Sequence, residues 1–156
     1  GLGNAFRADD AVGNVVARQL LPYESPSVSI IEGGLAGLTL LQEMEGTDKL
    51  ILIDAVSSHS EEGTLLRFTI PQDLDTIGQL AWSTSGFSTH DLGLGAALAL
   101  ANTLGELPPY VVIYGIELGT VQFGSELSPK VAKAIDAVVN RIAIEELRQP
   151  TCMNSN

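Results

Sequence analysis

Cysteine is almost absent: Cys152, close to the carboxyl end, is the only one in 156 residues. An intramolecular disulfide, a zinc ribbon and a CxxC redox pair are thereby excluded, and a reducing compartment, the cytoplasm, is the expected location. Basic residues are scarce too, with 8 Lys and Arg against 19 Asp and Glu and a net charge of -11. Such a surface repels phosphate backbones and anionic headgroups, so neither nucleic acid nor a membrane surface is an expected partner. Long apolar runs are missing. The longest, Leu92 to Gly105, covers 14 residues and is broken by glycines, short of the roughly 20 that a spanning helix needs. No basic and then apolar leader opens the chain, which starts at Gly1 without a methionine.

What is present is enough apolar material, 45% of residues against 17% charged, to build a single compact domain and to exclude a disordered or fibrous chain. Asp9 to Leu21 sets Val12, Val15, Val16 and Leu20 on one stripe, with Asp9 as N-cap and Pro22 as a stop, which predicts a helix. Ser27 to Ile31, followed by Gly33 and Gly34, reads as a strand and a turn, and Ala36 to Met44 as a helix. The near-continuous apolar run Lys49 to Val56, KLILIDAV, has the pattern of a central parallel strand covered on both faces.

Gly63 to Ile70 predicts another strand, closed by Pro71, and Gln72 to Thr89 a long loop with one helical turn. Asp91 to Leu104 is helical in composition, Tyr110 to Ile116 (YVVIYGI) is a second buried strand, and Ser128-Pro129 opens a last helix. Its face carries Val131, Ile135, Val138, Val139, Ile142 and Leu147. The alternation predicts an α/β sandwich with a mostly parallel sheet. Residues 1–148 are expected to form one domain and 149–156 a flexible tail. GLGN has the look of a turn after a strand, so the native protein is expected to begin a few residues upstream of Gly1.

Common catalytic signatures are missing as well: there is no GxxxxGK phosphate loop, GxSxG elbow or HExxH zinc helix. GLGNAF imitates a dinucleotide fingerprint, but Phe6 stands where close helix-to-strand packing wants a small residue. The remaining polar residues fall where an α/β sheet carries its chemistry, outside the carboxyl ends of strands. Asp54 ends the LILID run, where a carboxylate is awkward inside the strand and natural at its exit; capping the strand end is its bland role. His90 enters the Asp91 helix, whose amino end favours a neutral imidazole able to bind metal; alone it would serve as a loop or capping residue. With Asp9 assigned to the N-cap, Asp10 becomes the second carboxylate candidate. Two carboxylates and one imidazole would suit a divalent first-row ion. His59, in SSHSEEG, is expected to be solvated. Gly33, Gly34 and Gly37 serve either a tight turn or the close approach of a foreign peptide backbone, and Glu32 either lies in solvent or joins that cleft.

Taken in order, GLGNAFRADDAVG, EGGLAG, LILIDAV and STHDLGL resemble the hydrogenase maturation endopeptidases, which process the large subunit of nickel-iron hydrogenases. The resemblance runs from Gly1 to Leu147. It implies a three-layer α/β/α fold around a twisted, mostly parallel sheet with one antiparallel strand. It also implies removal of a C-terminal extension from the large-subunit precursor once nickel is inserted. By motif, the nickel-recognising residues of the family fall on Asp10, Asp54 and His90, and its acid before the double glycine falls on Glu32. That turn is usually written DGGT, whereas this chain has Glu32 and Leu35, and the extra methylene displaces a carboxylate by more than about an ångström.

The implied enzyme is metal-free at rest and meets nickel on its substrate, with the metal as recognition handle and template. No serine or cysteine is placed as nucleophile, which favours an activated water, with Asp10 or Asp54 as general base. The alternatives are a non-catalytic chaperone or checkpoint module that binds the nickel-loaded precursor, and a nucleotide-binding domain.

Overall fold

The computed structural model describes residues 1–4, 6–34, 38–82, 93–119 and 126–147. A 3-10 turn at Ala8–Ala11 runs into α1 (Val12–Leu20), and α2 (Leu38–Met44) leads to β1 (Lys49–Ser57). Then come β2 (Leu65–Ile70), α3 (Leu74–Gln79), β3 (Ala81–Trp82), α4 (Leu94–Leu104), β4 (Tyr110–Glu117) and α5 (Pro129–Ile142). A π turn, Ala143–Leu147, extends α5.

The strand order is β2-β4-β1-β3. β1 and β4 pair in parallel from Lys49 with Tyr110 to Val56 with Glu117. β2 lies antiparallel along β4, and the two-residue β3 pairs antiparallel with the end of β1. Both parallel strands are buried on both faces, which is why they read as unbroken apolar runs. Alternation along them sorts the core into two sides. Leu52, Val56, Val111 and Ile113 pack with Met44, Ile77, Leu98 and Trp82, beneath α2, α3 and α4. Ile53, Ala55, Val112, Tyr114 and Ile116 pack with Val16, Leu20, Val131 and Ile135, beneath α1 and α5. These are the three layers that the resemblance implies.

Ser27–Ile31 does not form the expected strand. The backbone turns back on itself there, Ser25 and Val28 exchanging both N–H···O bonds at 3.0–3.1 Å, and beyond it Gly1 N donates to Ile31 O, Gly33 N to Gly1 O and Gly3 N to Gly34 O, at 2.7–2.8 Å. Leu2 joins this short parallel contact to the sheet by donating to Ile53 O at 2.7 Å. The loop expected over Gln72–Thr89 holds α3 and β3 in its first part. Among the described residues no helix is long and apolar enough to cross a membrane.

Candidate active site

Four of the buried acids, Asp9, Asp10, Asp54 and Glu117, lie toward the carboxyl ends of β1 and β4, and a fifth, Glu146, lies elsewhere. Asp54 is fully buried, but it is not at the strand exit: β1 continues to Ser57, so the carboxylate lies inside the strand. It is accommodated because Oδ1 accepts the Ala55 N–H at 2.8 Å and because the residue opposite it on β4 is Gly115. By alternation Asp54 shares the face of Leu52 and Val56, the side covered by α4.

Asp10 is also buried, with 3% of its surface exposed, in the 3-10 turn that precedes α1. Three backbones meet beneath it. Gly3, at φ +126, lies against the Asp10 carbonyl, where a Cβ would come within 1.9 Å. Gly13 brings α1 down on β1 so closely that a Cβ there would stand 2.3 Å from both the Ile53 and Leu2 carbonyl oxygens. The segments bearing Asp10 and Asp54 are therefore in direct backbone contact through residues 2, 3 and 13. Phe6, the sixth position of the imitated fingerprint, is 79% exposed. The close helix-to-strand contact belongs to Gly13 instead, and the dinucleotide pattern is not built.

Asp9 is not the N-cap of α1. That position is Ala11, and no side chain caps the helix. Asp9 is fully buried and turns to a different part of the chain, accepting the N–H of Gly119 at 3.0 Å and of Ser128 at 2.6 Å. Ser128 is itself the N-cap position of α5.

Glu32 pairs with Arg18 of α1, which donates from Nη2 at 2.5 Å and from Nε at 3.1 Å. The Arg18 hydrogen bond holds the carboxyl below its ordinary range, against the small opposing effect of burial. Gly34 takes φ +64, the left-handed region that favours glycine, with no described atom within 4 Å of where a Cβ would stand, while Gly33 packs on Gly1 and Leu2. His59 is exposed, as expected for SSHSEEG. His90 and Gly37 lie outside the described residues, as does the tail 149–156.

Glu117 is a further buried acid, one not among the candidates that the sequence offers. It closes β4 beside Val56, is 4% exposed, and accepts the N–H and hydroxyl of Ser58 at 2.9 and 2.5 Å and the His59 N–H at 3.1 Å. It thus anchors the chain leaving β1. The signal was the one used for Asp54: an acid at the end of an apolar strand, one residue beyond YVVIYGI.

Asp10 and Asp54 offer hard oxygen donors of the kind a divalent first-row ion accepts. Among the described residues no group of three His, Cys, Asp or Glu could hold a metal ion. A groove of about 530 Å³ lined by Met44, Thr47, Gly105, Leu107 and Pro108 opens at the amino ends of β1 and β4. That is the opposite edge of the sheet from Asp54.

Comparison with known proteins points one way. Residues 12–145 match the family model for hydrogenase maturation protease. Over 145 residues the chain is 31% identical to the hydrogenase 2 maturation protease of Escherichia coli K12, covering 91% of this chain and 85% of that protein. It is 29% identical to the hydrogenase expression/formation protein HupD of Thiocapsa roseopersicina, covering 96% of this chain and 66% of the relative, just under two thirds of its length. Among solved structures, the hydrogenase maturating endopeptidase HybD from E. coli superposes with a TM-score of 0.77 at 26% identity, over 92% of this chain and 87% of that one.

Proposed function

The chain belongs to the hydrogenase maturation protease family, a family of peptidases, and from that premise we propose that it removes the C-terminal extension of a nickel-iron hydrogenase large-subunit precursor. Nickel already inserted in the precursor is the recognition element, and the enzyme is metal-free until it meets it. The observation that carries this is the pair of buried carboxylates, Asp10 and Asp54, on backbone segments in direct contact at the carboxyl edge of the parallel strands. Two carboxylates placed this way supply hard oxygen donors of the kind a divalent cation accepts.

In this proposal Asp10, Asp54 and His90 complete the coordination of the precursor's nickel, two oxygens and one nitrogen. The scissile peptide is proposed to lie against Gly33, Gly34 and Gly37; at Gly34 no described atom comes within 4 Å of the place a Cβ would take. Glu32, on the same turn, orients the substrate. A water attacks the scissile carbonyl, with Asp10 or Asp54 taking its proton when not committed to metal. The cytoplasm is the proposed location.

The test is gel mobility of a nickel-loaded cognate precursor with and without this protein, repeated with nickel-free precursor. Shortening only of the nickel-loaded form is the expected result. Shortening of both forms removes nickel as recognition element. Stable binding without shortening makes the protein a checkpoint module that inspects the precursor rather than cutting it.

A further inference from the structure

Asp9 spends both carboxylate oxygens on backbone donors 110 and 119 positions away, Gly119 N at 3.0 Å and Ser128 N at 2.6 Å. Gly119 follows β4 and Ser128 precedes α5, so one buried side chain holds both ends of the connection between these elements. Ser128 stands at the amino end of a 14-residue helix, where backbone N–H groups have no partner within the helix. Asp9 is fully buried, so an unmet acceptor at this place would be expensive.

The next residue in the chain is Asp10, in the same short turn. The turn has no side-chain cap of its own. What fixes it from below is the backbone contact at Gly3, Gly13 and Ile53; what fixes it from the side of β4 and α5 is Asp9. We propose that Asp9 is a positioning residue, setting where Asp10 stands relative to Asp54 by locking the Ala8–Ala11 turn to the exit of β4 and the start of α5. Asn14 reinforces it one turn along α1, donating from Nδ2 to the Gly3 carbonyl at 2.8 Å. The inference deepens the proposed nickel-checked peptidase and rests on it.

The experiment compares wild type, D9N, S128P and the double variant D9N/S128P in the full chain, with D10N beside them. Asn at position 9 keeps the volume but presents an amide NH2 to one of two N–H donors. Pro at 128 removes the other donor at a backbone position, φ -60, that proline adopts. The expected result is a fall in kcat for the nickel-loaded precursor on the order of 10- to 100-fold in D9N and in S128P, with KM little changed. The double variant should be no slower than D9N, because both changes break one linkage.

Hydrogen exchange of the same proteins without precursor should show the peptides over 8–14 and 126–130 losing protection together while β1 and β4 keep theirs. A variant that melts lower yet turns over normally at a temperature where it is folded makes Asp9 structural only and overturns the proposal. So does additive loss in the double variant. If D9N does not fold, S128P alone decides by the same two readouts. Normal turnover by D10N removes the ligand assignment beneath the proposal, and the positioning role falls with it, whereas an inactive D10N beside a normal D9N overturns the positioning role alone.

Discussion

Arg67 on β2 and Glu146 in the turn beyond α5 meet at one carboxylate oxygen, Oε1, which accepts Arg67 Nε at 3.2 Å and Nη2 at 2.9 Å. Tyr114 OH donates to the same oxygen at 2.9 Å, and Lys49 Nζ lies 2.8 Å from Oε2. The Glu146 side chain is 1% exposed. This cluster ties the end of the last helix to three strands at the edge of the sheet away from Asp54, and it concerns stability rather than chemistry.

Breaking it by Glu146→Ala leaves Arg67 and Lys49 without their carboxylate. The cations left behind are part-exposed, so the loss is that of the charge-assisted hydrogen bonds, about 1.5–3 kcal/mol, and for a chain of this size each kcal/mol lowers Tm by roughly 2–4 °C. Thermal unfolding followed by circular dichroism is the measurement, and a Tm within a degree or two of wild type would remove the cluster from the stability account. Peptide processing at a temperature well below Tm should be unaffected.

The same residue imposes a pH dependence. Burial pushes the Glu146 carboxyl up, but the hydrogen bonds from Lys49, Arg67 and Tyr114 outweigh it and hold the folded-state pKa below the ordinary value. A depressed carboxyl contributes stability that is present above the unfolded pKa, about 4.3, and is lost as pH falls through the folded value. Wild type should therefore lose stability on acidification below about pH 5 faster than Glu146→Gln, and the gap in Tm between them should narrow as pH falls. Denaturant titrations at stepped pH read this directly; parallel curves would contradict it.

Two glycines should respond in opposite directions. At Gly13 a Cβ would stand 2.3 Å from two backbone oxygens, which cannot yield without moving β1 or residue 2. Gly13→Ala is expected to cost at least about 3 kcal/mol and to disturb processing, since the displaced segments carry Asp10 and Asp54. At Gly78, in α3, nothing among the described residues lies within 4 Å of the added atom, so Gly78→Ala should stabilise by about 0.5–1 kcal/mol. Chemical denaturation of the pair tests both signs.

The roles of the site acids separate by variant. Asp54→Asn and His90→Ala should each abolish processing of nickel-loaded precursor while the folded protein keeps its circular dichroism spectrum. Full activity in either removes that residue from the ligand set. If Glu32 orients the substrate as proposed, Glu32→Gln should slow processing with no change in Tm, whereas Arg18→Ala, which removes only the exposed partner of that carboxylate, should leave the rate nearly unchanged. A rate loss that follows Arg18 rather than Glu32 would assign the pair a structural role.

Much of this architecture was legible in the order of residues. KLILIDAV and YVVIYGI are apolar on both sides of the chain, a pattern that suits a doubly covered parallel strand, and they are β1 and β4. The stripe of Val131, Ile135, Val138, Val139 and Ile142 is the buried face of α5. Ser27–Ile31 is not a strand because its start turns back on Ser25, whose N–H and carbonyl are both met by Val28. Gly13 carried no sequence signal of its own, since the need for glycine arises only from how near β1 comes to α1.

The acids divide in the same way. Asp54 stood out in the sequence because a carboxylate within an apolar run needs a reason, and Glu117 carried the same signal one residue past the end of its run. Asp9 and Asp10 could not be told apart by local rules. The N-cap rule assigned Asp9 to its own helix, a partner a few residues away, whereas the folded chain gives it donors at Gly119 and Ser128. The sequence alone determined the elements, the layers and which carboxylates have to be accounted for, because periodicity and burial of apolar side chains act over short stretches of chain. Only the tertiary structure decided what each carboxylate does, because a hydrogen bond to a backbone N–H depends on which distant segment the fold brings within 3 Å.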